Sequence, residues 1–365
     1  MRKTTIALTG LTLATALTLA GCGQAPEESA GPSASAPGAS DFKACLVSDA
    51  GGWDDKSFNQ SAKEGLDRAV ADLGVQSATA ESKADSDYAP NVESMVQQGC
   101  QLTIGVGFLL EQAIEDAAKA NTDVEFGLLD STFSDESFNP ITIDNAKPLV
   151  FNTAEAAYLA GYVAAGTTKT GTVATFGGQE IPSVTVFMDG FVDGVARYNK
   201  DSGKDVKVLG WDKAAQNGSF TGNFDDQAAG QTLTEGFIAQ KADIIMPVAG
   251  PVGLGAAAAA EKAGDTYIIG VDSDWYESTE YGDIVITSVL KEIDAAVYDT
   301  VKAASSGSFS NAPYVGTLSN GGVGIAPFHD FDAQVPADVK TAVESIQQEI
   351  IDGTTTVESQ NSPQQ

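Results

Sequence analysis

Short apolar runs alternate with stretches of helical periodicity along most of the chain, and this alternation is the main evidence for its fold. The apolar runs predict strands at 43–49, 101–107, 124–130, 171–178, 205–211, 242–250, 266–272 and 283–289. The stretches between them predict helices that follow Phe58 and that cover 110–120, 153–167, 183–200, 226–240 and 253–263. Strands that alternate with helices predict an α/β fold in which parallel sheets carry helices on both faces.

These strand–helix units are too many for one compact doubly wound domain, so two lobes are expected. We predict a first lobe from 42–131 and 287–310, and a second lobe from 132–286 and 311–352. The strand "VITSVLK" would then lie where the chain crosses between the lobes. Residues 353–365 are predicted to form a disordered tail.

The first 41 residues predict export and membrane anchoring. A short basic segment precedes an apolar run at 6–21, which is typical of a signal peptide over residues 1–21 and is short for a membrane span of about 20 apolar residues. The run ends in "LAGC", which is similar to a lipobox and predicts lipidation of Cys22. Residues 22–41 are rich in Gly, Pro, Ala and Ser and predict a flexible tether. We therefore expect a chain lipid-anchored on the extracytoplasmic face of the cell membrane; the alternative is an ordinary secretory signal with an incidental cysteine.

The charge of the chain limits its partners. It has 50 acidic and 20 basic residues, and loss of the signal peptide leaves a net charge near −32. Such a surface repels nucleic acid and anionic lipid head groups, so both are excluded as main partners. The chain has one histidine, His329, and no CxxC spacing, so neither a metal site nor a cofactor is predicted.

Two cysteines, Cys45 and Cys100, remain besides Cys22. Each lies at the start of a predicted strand, and in the strand order 2-1-3 of doubly wound sheets these two strands are neighbours. A disulfide is therefore expected in an oxidising compartment, although two buried thiols are nearly as compatible with the sequence.

Several predicted strands end in a residue that suits ligand binding. These residues are Asp49, Asp130, Gly250 and Asp272. In open parallel sheets, ligands bind beyond the carboxyl ends of the strands. An aspartate after a strand often only caps the next helix, and Asp55 is predicted to cap the helix that follows Phe58. Four such ends in one chain, with Phe58 and Asn59 beside the first, favour a binding site.

Six stretches of the sequence are similar to a known family: "DDKSFNQSAKEGL", "EAAYLAGYVAA", "TFGGQEIPSVTVFMDGFVDGV", "ADIIMPVAG", "IIGVDSDW" and "VITSVLK". They resemble the basic membrane protein family of solute-binding lipoproteins, in which purine nucleoside receptors of ABC importers are the best-understood branch. The resemblance covers residues 42–352. It implies a two-lobed type I periplasmic-binding-protein fold with a hinge, a monomer that works with ABC permease and ATPase subunits, and no enzymatic activity.

The resemblance also implies a ligand and its contacts. A purine nucleoside (adenosine, guanosine or inosine) would lie between the rings of Phe58 and Phe224, and a stacked base contributes about 1–3 kcal/mol. Asn59 and Asp130 would meet the edge of the base, with Asp49 close by. The ribose would meet Asp272, Lys291 and the backbone at Gly250, through charge-assisted hydrogen bonds to its hydroxyls.

Several alternatives stay open. Phe220 competes with Phe224 for the second ring, Trp53 and Trp275 are candidates for the cleft rim, and Asp274 either assists Asp272 or caps a helix. Lys291 could be an ordinary surface lysine. The ligand could be a sugar or a signalling molecule. The strand-end aspartates could also serve a nucleoside or sugar hydrolase, but P-loop, G-x-S-x-G and metal-cluster motifs are missing from the sequence.

Overall fold

The computed structural model describes residues 40–135 and 139–363. The predicted signal peptide, Cys22 and the tether therefore lie outside the described residues, apart from the last two positions of the tether. The described residues belong to one compact unit.

Strands and helices alternate through this unit. The strands are β1 (Lys43–Ser48), β2 (Gln76–Glu81), β3 (Leu102–Val106), β4 (Glu125–Leu129), β5 (Ala146–Phe151), β6 (Thr172–Gly177), β7 (Lys207–Leu209), β8 (Trp211–Asp212), β9 (Asn217–Gly218), β10 (Ile244–Val248), β11 (Tyr267–Asp272), β12 (Val285–Lys291), β13 (Tyr314–Gly316) and β14 (Val323–Ile325). The helices are α1 (Phe58–Leu73), α2 (Tyr88–Gln97), α3 (Glu111–Ala120), α4 (Thr153–Thr167), α5 (Pro182–Ser202), α6 (Gln227–Ala239), α7 (Val252–Ala263), α8 (Trp275–Ser278), α9 (Ile293–Ser305) and α10 (Ala337–Ile351).

Twelve of these strands form two six-stranded sheets, each the centre of one lobe, and β8 and β9 pair separately as a two-stranded antiparallel sheet. The first has the order β13-β5-β4-β3-β1-β2 and is parallel throughout. The second has the order β14-β12-β11-β10-β6-β7 and is parallel except for β14. The predicted α/β class, with two parallel sheets flanked by helices, is confirmed. Parallel strands need crossover helices, which explains the alternation in the sequence.

The chain crosses between the lobes at three points. The first crossing follows β5 and leads into α4, which packs against α5 of the second lobe. The second follows β12 and leads into α9, which packs against α1 of the first lobe. The third lies between β13 and β14. Backbone hydrogen bonds join neighbouring crossovers, from Asn152 N to Gly316 O (2.8 Å) and from Glu292 N to Gly322 O (3.0 Å). Three short connections side by side form the hinge of such a fold.

Small residues let the helices approach closely at these crossings. A Cβ on Gly65 of α1 would lie 2.3 Å from the carbonyl oxygen of Asp294 in α9. A Cβ on Gly194 of α5 would lie 2.0 Å from the carbonyl oxygen of Tyr158 in α4. Helix α4 is rich in small residues and nearly all of its residues are buried, which reflects contact on most of its sides.

The sheets divide the chain differently from the predicted lobe boundaries. Strands β5 and β13 belong to the first sheet, although 132–286 and 311–352 were assigned to the second lobe. Strand β12 belongs to the second sheet, and the chain returns to the first lobe only after Lys291. The cause is that β5 contains Pro148 and follows an irregular stretch, and β13 has only three residues, so neither gave a strand pattern.

The C-terminal segment also differs from its prediction as a disordered tail. Over its described part, Val357 is buried, and the Ser359 hydroxyl donates to the carboxylate of Asp189 (2.6 Å). The Ser362 hydroxyl donates to Asn152 Oδ1 at the first crossover (2.9 Å). Asp189 is fully buried in α5 and needs donors, which the tail helps to supply.

The first sheet brings the two cysteines together. Strand β1 lies between β2 and β3, as the order 2-1-3 predicts, and Cys45 pairs with Thr103 in register. Cys45 and Cys100 form a disulfide with Cα atoms 6.0 Å apart.

We expect labelling of unfolded, unreduced protein to detect neither thiol of this pair. The Cys45→Ala/Cys100→Ala double variant should lose about 2–4 kcal/mol in its free energy of unfolding, because the bridge restricts a long loop in the unfolded chain. Chemical denaturation of both proteins measures this difference. Two reactive thiols in the wild-type chain would contradict the bridge.

Candidate ligand-binding site

A cavity lies between the two lobes, beyond the carboxyl ends of their strands. Its empty space, including the part open to solvent, is about 530 Å³. All eight residues predicted to bind ligand line it: Asp49, Phe58, Asn59, Asp130, Phe224, Gly250, Asp272 and Lys291. The structure thus brings the predicted set together from distant parts of the chain, while the role of each residue stays a prediction.

Two of the aspartates have an unusual backbone conformation. Asp130 has φ +62° and Asp272 has φ +68°, which is the left-handed region that side chains other than glycine rarely adopt. Asp130 directly follows β4, and Asp272 ends β11. Aspartate tolerates this conformation better than most residues, and such strain is concentrated at functional sites.

The N-terminus of α1 forms one wall of the cavity. Ser57, and not the predicted Asp55, occupies the N-cap position of this helix. The carboxylate of Asp55 nevertheless accepts the free backbone N–H groups, those of Ser57 (3.0 Å), Asn59 (2.8 Å) and Gln60 (2.9 Å). Burial raises the pKa of Asp55 to about 6, although these N–H groups act in the opposite direction. The cap fixes the first turn, which carries Phe58 and Asn59 into the cavity.

The side-chain amide of Asn59 is only half satisfied. Its Nδ2 donates to the carbonyl oxygen of Ala50 (2.9 Å), which fixes the orientation of the amide. Its Oδ1 is buried and has no hydrogen-bond partner among the described residues. A buried acceptor without a partner is costly, so this oxygen is suited to an N–H donor of a ligand.

Lys291 is the only cation among the lining residues. It is 6% exposed, so it is not the surface lysine considered above. Its ammonium pairs with Asp130 of the first lobe and lies 3.4 Å from Asp272 Oδ1 of the second. Burial lowers the pKa of Lys291, but the two carboxylates outweigh burial and leave it raised, so the lysine stays charged.

This ion cluster changes the expected division of roles. The resemblance placed Asp130 at the base and Lys291 at the ribose, yet the structure pairs them directly. Lys291 also lies 4.9 Å from the ring centroid of Phe58 and 5.1 Å from that of Phe187. The cation therefore lies next to the aromatic wall as well as to the carboxylates.

Phe224 lines the cavity and Phe220 does not. A Cβ on Gly178 would lie 2.4 Å from the Phe224 ring, so the absence of a side chain there makes room for the ring. Phe220 packs edge-on against Trp211, with ring centroids 5.9 Å apart.

Two further rings that the sequence did not predict line the cavity, those of Phe108 and Phe187. Phe187 lies within the apolar pattern of α5, and this pattern gave no signal of a binding site.

Asp49 is buried against Gly107. A Cβ on Gly107, which has φ +119°, would lie 1.8 Å from Asp49 Oδ2. Burial raises the pKa of Asp49 well above its ordinary value, and the negative charges of Asp55 and Asp130 add to the shift. The cavity therefore favours the neutral form of this carboxyl.

The remaining candidates lie outside the cavity lining. Trp275, whose role the sequence left open, is buried and donates its indole N–H to the carbonyl oxygen of Val271 (2.9 Å). Trp53 packs against the core. Asp274 caps α8 by accepting from Tyr276 N (3.1 Å), and it contacts His329 Nε2 (2.7 Å) rather than Asp272.

Comparison with known families identifies the chain. The family model described as "Bmp: ABC transporter substrate-binding protein PnrA-like" matches residues 42–361. The chain belongs to the Bmp family. It is therefore a substrate-binding protein of an ABC transporter, and this family is one of binding proteins rather than enzymes. Along residues 40–135 and 139–363, no helix combines the length and apolar character needed to cross a membrane.

Relatives and solved structures agree with membership of the Bmp family. The chain is 32% identical to an ABC transporter nucleoside-binding protein BmpA of Lactococcus lactis subsp. cremoris, over 98% of this chain and 100% of that protein. It is 29% identical to a CD4+ T-cell-stimulating antigen of Listeria monocytogenes, over 97% of this chain and 98% of that protein. An ABC transporter solute-binding protein from Aeropyrum pernix has the same fold, with a TM-score of 0.78 and 25% identity over 89% of this chain and 94% of that one.

The raised pKa of Asp49 makes a prediction about stability. A carboxyl whose pKa is raised by folding destabilises the protein once the pH exceeds its ordinary value of 3.8, because ionisation is less favourable in the folded state. Asp49→Asn should therefore raise the melting temperature at pH 8, and the gain should disappear as the pH falls towards 3.8. Calorimetric scans of both proteins across this range provide the measurement. A variant that melts below the wild type at pH 8 would show that the ionised carboxylate stabilises the fold.

Proposed function

We propose that this chain is a lipid-anchored extracytoplasmic receptor that captures a purine nucleoside between its lobes and delivers it to an ABC permease and its ATPase. The observation that carries the proposal is the make-up of one cavity in a Bmp-family chain. Two rings, an amide oxygen without a partner and a lysine between carboxylates face the same space. The name of the Lactococcus relative, a nucleoside-binding protein, supports the same ligand class.

The rings and the amide suit the base. An aromatic wall accepts any flat base, because stacking does not depend on the pattern of donors and acceptors. Asn59 Oδ1 accepts one N–H of the base and so loses its unsatisfied state. Burying the base between Phe58 and Phe224 removes two apolar faces from water.

The ion cluster suits the ribose and rejects phosphate. Asp272 accepts from ribose hydroxyls and Lys291 donates to them, in charge-assisted bonds. Among the described residues, four carboxyl groups and one lysine line the cavity. They are Asp49, Asp55, Asp130, Asp272 and Lys291. A nucleotide would bring further negative charge into this space, and burying that charge beside carboxylates is energetically unfavourable. A free base would leave the carboxylates without the hydroxyl donors.

Isothermal titration calorimetry with guanosine, inosine and adenosine tests the proposal. We expect at least one nucleoside to bind more tightly than its free base and more tightly than its 5′-monophosphate. Heat from a simple sugar, with none from any nucleoside, would contradict the proposal.

A matched pair of phenylalanine variants assigns the stacking ring. Phe224→Ala should weaken nucleoside binding by about 1–3 kcal/mol, because it removes one face of the stack. Phe220→Ala should leave affinity nearly unchanged, because Phe220 packs on Trp211 outside the cavity. Calorimetry on both variants makes the comparison. The reverse order of effects would show that Phe220 provides the ring.

A sugar is the second candidate ligand. Carboxylates and a lysine would also bind the hydroxyls of a pyranose or furanose, and the Asp272–Lys291 side of the cavity supplies both. The aromatic wall favours the nucleoside, because a sugar alone would contact only part of it.

Incubation with nucleosides, followed by chromatography, should return the nucleosides unchanged, since a capture protein performs no turnover.

A further inference from the structure

A second set of contacts joins the lobes beside the cavity. The turn before α1 belongs to the first lobe, and its Lys56 carbonyl oxygen accepts from the hydroxyls of Ser273 and Ser278 in the second lobe, both at 2.9 Å. In the other direction, the Ser57 hydroxyl lies 2.9 Å from the Val271 carbonyl oxygen and 3.1 Å from Asp272 Oδ2. None of Lys56, Ser57, Ser273 and Ser278 is among the cavity-lining residues.

The hydroxyl of Ser57 does not cap helix α1, although Ser57 occupies the capping position. Ser57 is the N-cap residue of α1, where a serine hydroxyl normally accepts from a backbone N–H of the first turn. Here it makes no capping bond, and the carboxylate of Asp55 accepts those N–H groups instead. The hydroxyl, in a residue only 1% exposed, is thereby free to reach the other lobe.

The backbone on both sides is shaped for this contact. Lys56 has φ +61°, a left-handed conformation, and its carbonyl oxygen is the one that reaches the second lobe. The Val271 carbonyl oxygen also accepts the indole N–H of Trp275, which is anchored by its own backbone N–H to Ser288 Oγ (3.0 Å). The Val271 carbonyl oxygen is thus held in place within the second lobe, and the Ser57 hydroxyl reaches it from the first.

We propose that Lys56, Ser57, Ser273 and Ser278 form an interlobe latch that stabilises the closed arrangement of the lobes and slows ligand release. The latch rests on the proposed capture of ligand by lobe closure, but its residues act through the lobes and not through the ligand. Hydrogen bonds that exist only in the closed form shift the open–closed equilibrium towards closure, with or without ligand. Ser57 is in addition a positioning residue, since its hydroxyl contacts one oxygen of Asp272 while the other oxygen faces Lys291.

Because the two serines share one acceptor, single and double substitutions in the latch should differ in their effect on ligand dissociation. Because Lys56 O accepts from two hydroxyls, Ser273→Ala or Ser278→Ala alone leaves one donor in place. Each single variant should therefore change nucleoside dissociation less than threefold, while the double variant should accelerate it about tenfold, the usual weight of a lost hydrogen bond. The association rate should change much less.

Stopped-flow binding of guanosine or inosine measures these rates in the wild type, both single variants and the double variant. Ser202→Ala is the matched control, because its hydroxyl donates to the Tyr198 carbonyl oxygen within one helix of the second lobe (2.7 Å). It should leave both rates unchanged. A double variant with the wild-type dissociation rate, or an equal acceleration by the control, would overturn the latch.

Small-angle X-ray scattering of the ligand-free proteins separates the latch from the proposed function. The double variant should have a larger radius of gyration than the wild type and the Ser202→Ala control, because its lobes open more often. If the wild type binds no nucleoside, the proposed function fails and scattering alone decides on the latch. Equal radii for all three proteins would then overturn it.

Discussion

One buried lysine links the two lobes electrostatically. Lys291 is the last residue of β12, directly before the chain crosses back to the first lobe, and its ammonium lies between Asp130 of one lobe and Asp272 of the other. Without the lysine, two buried carboxylates would face each other without a counter-charge, which is strongly unfavourable. Without the carboxylates, the lysine would lose its partners in a site almost closed to water. The ionic contact between the lobes and the proposed binding chemistry therefore depend on the same three side chains.

This constraint is compatible with the proposed neutral, hydroxyl-rich ligand of a very acidic chain. The net charge of −30 disfavours anionic ligands, and the carboxyl groups of the cavity add to this effect. In the proposed function, closure of the lobes removes water from the cleft and strengthens each charge-assisted bond inside it. The interlobe hydrogen bonds around Ser57 lie beside the ion cluster, so the proposed latch and the proposed ligand contacts meet at Asp272.

Much of the fold was predictable because helical and strand periodicities are local. Helix α4 was predicted with its observed limits, and the strand order 2-1-3 placed Cys45 near Cys100, which precedes β3. Strands β5 and β13 were not predictable, since short strands depend on pairing partners distant in sequence. The cavity residues were found as strand ends and by family resemblance. Their pairing was not, because the Asp130–Lys291 contact spans the two lobes.

A crystal structure of the protein with guanosine or inosine tests the proposed binding mode directly. In it, the base should lie between the rings of Phe58 and Phe224, with Asn59 Oδ1 accepting an N–H of the base. The ribose hydroxyls should contact Asp272 and Lys291, and the lobes should be closed. A nucleoside bound outside the interlobe cavity, or bound there with its ribose pointing away from Lys291, would contradict this binding mode.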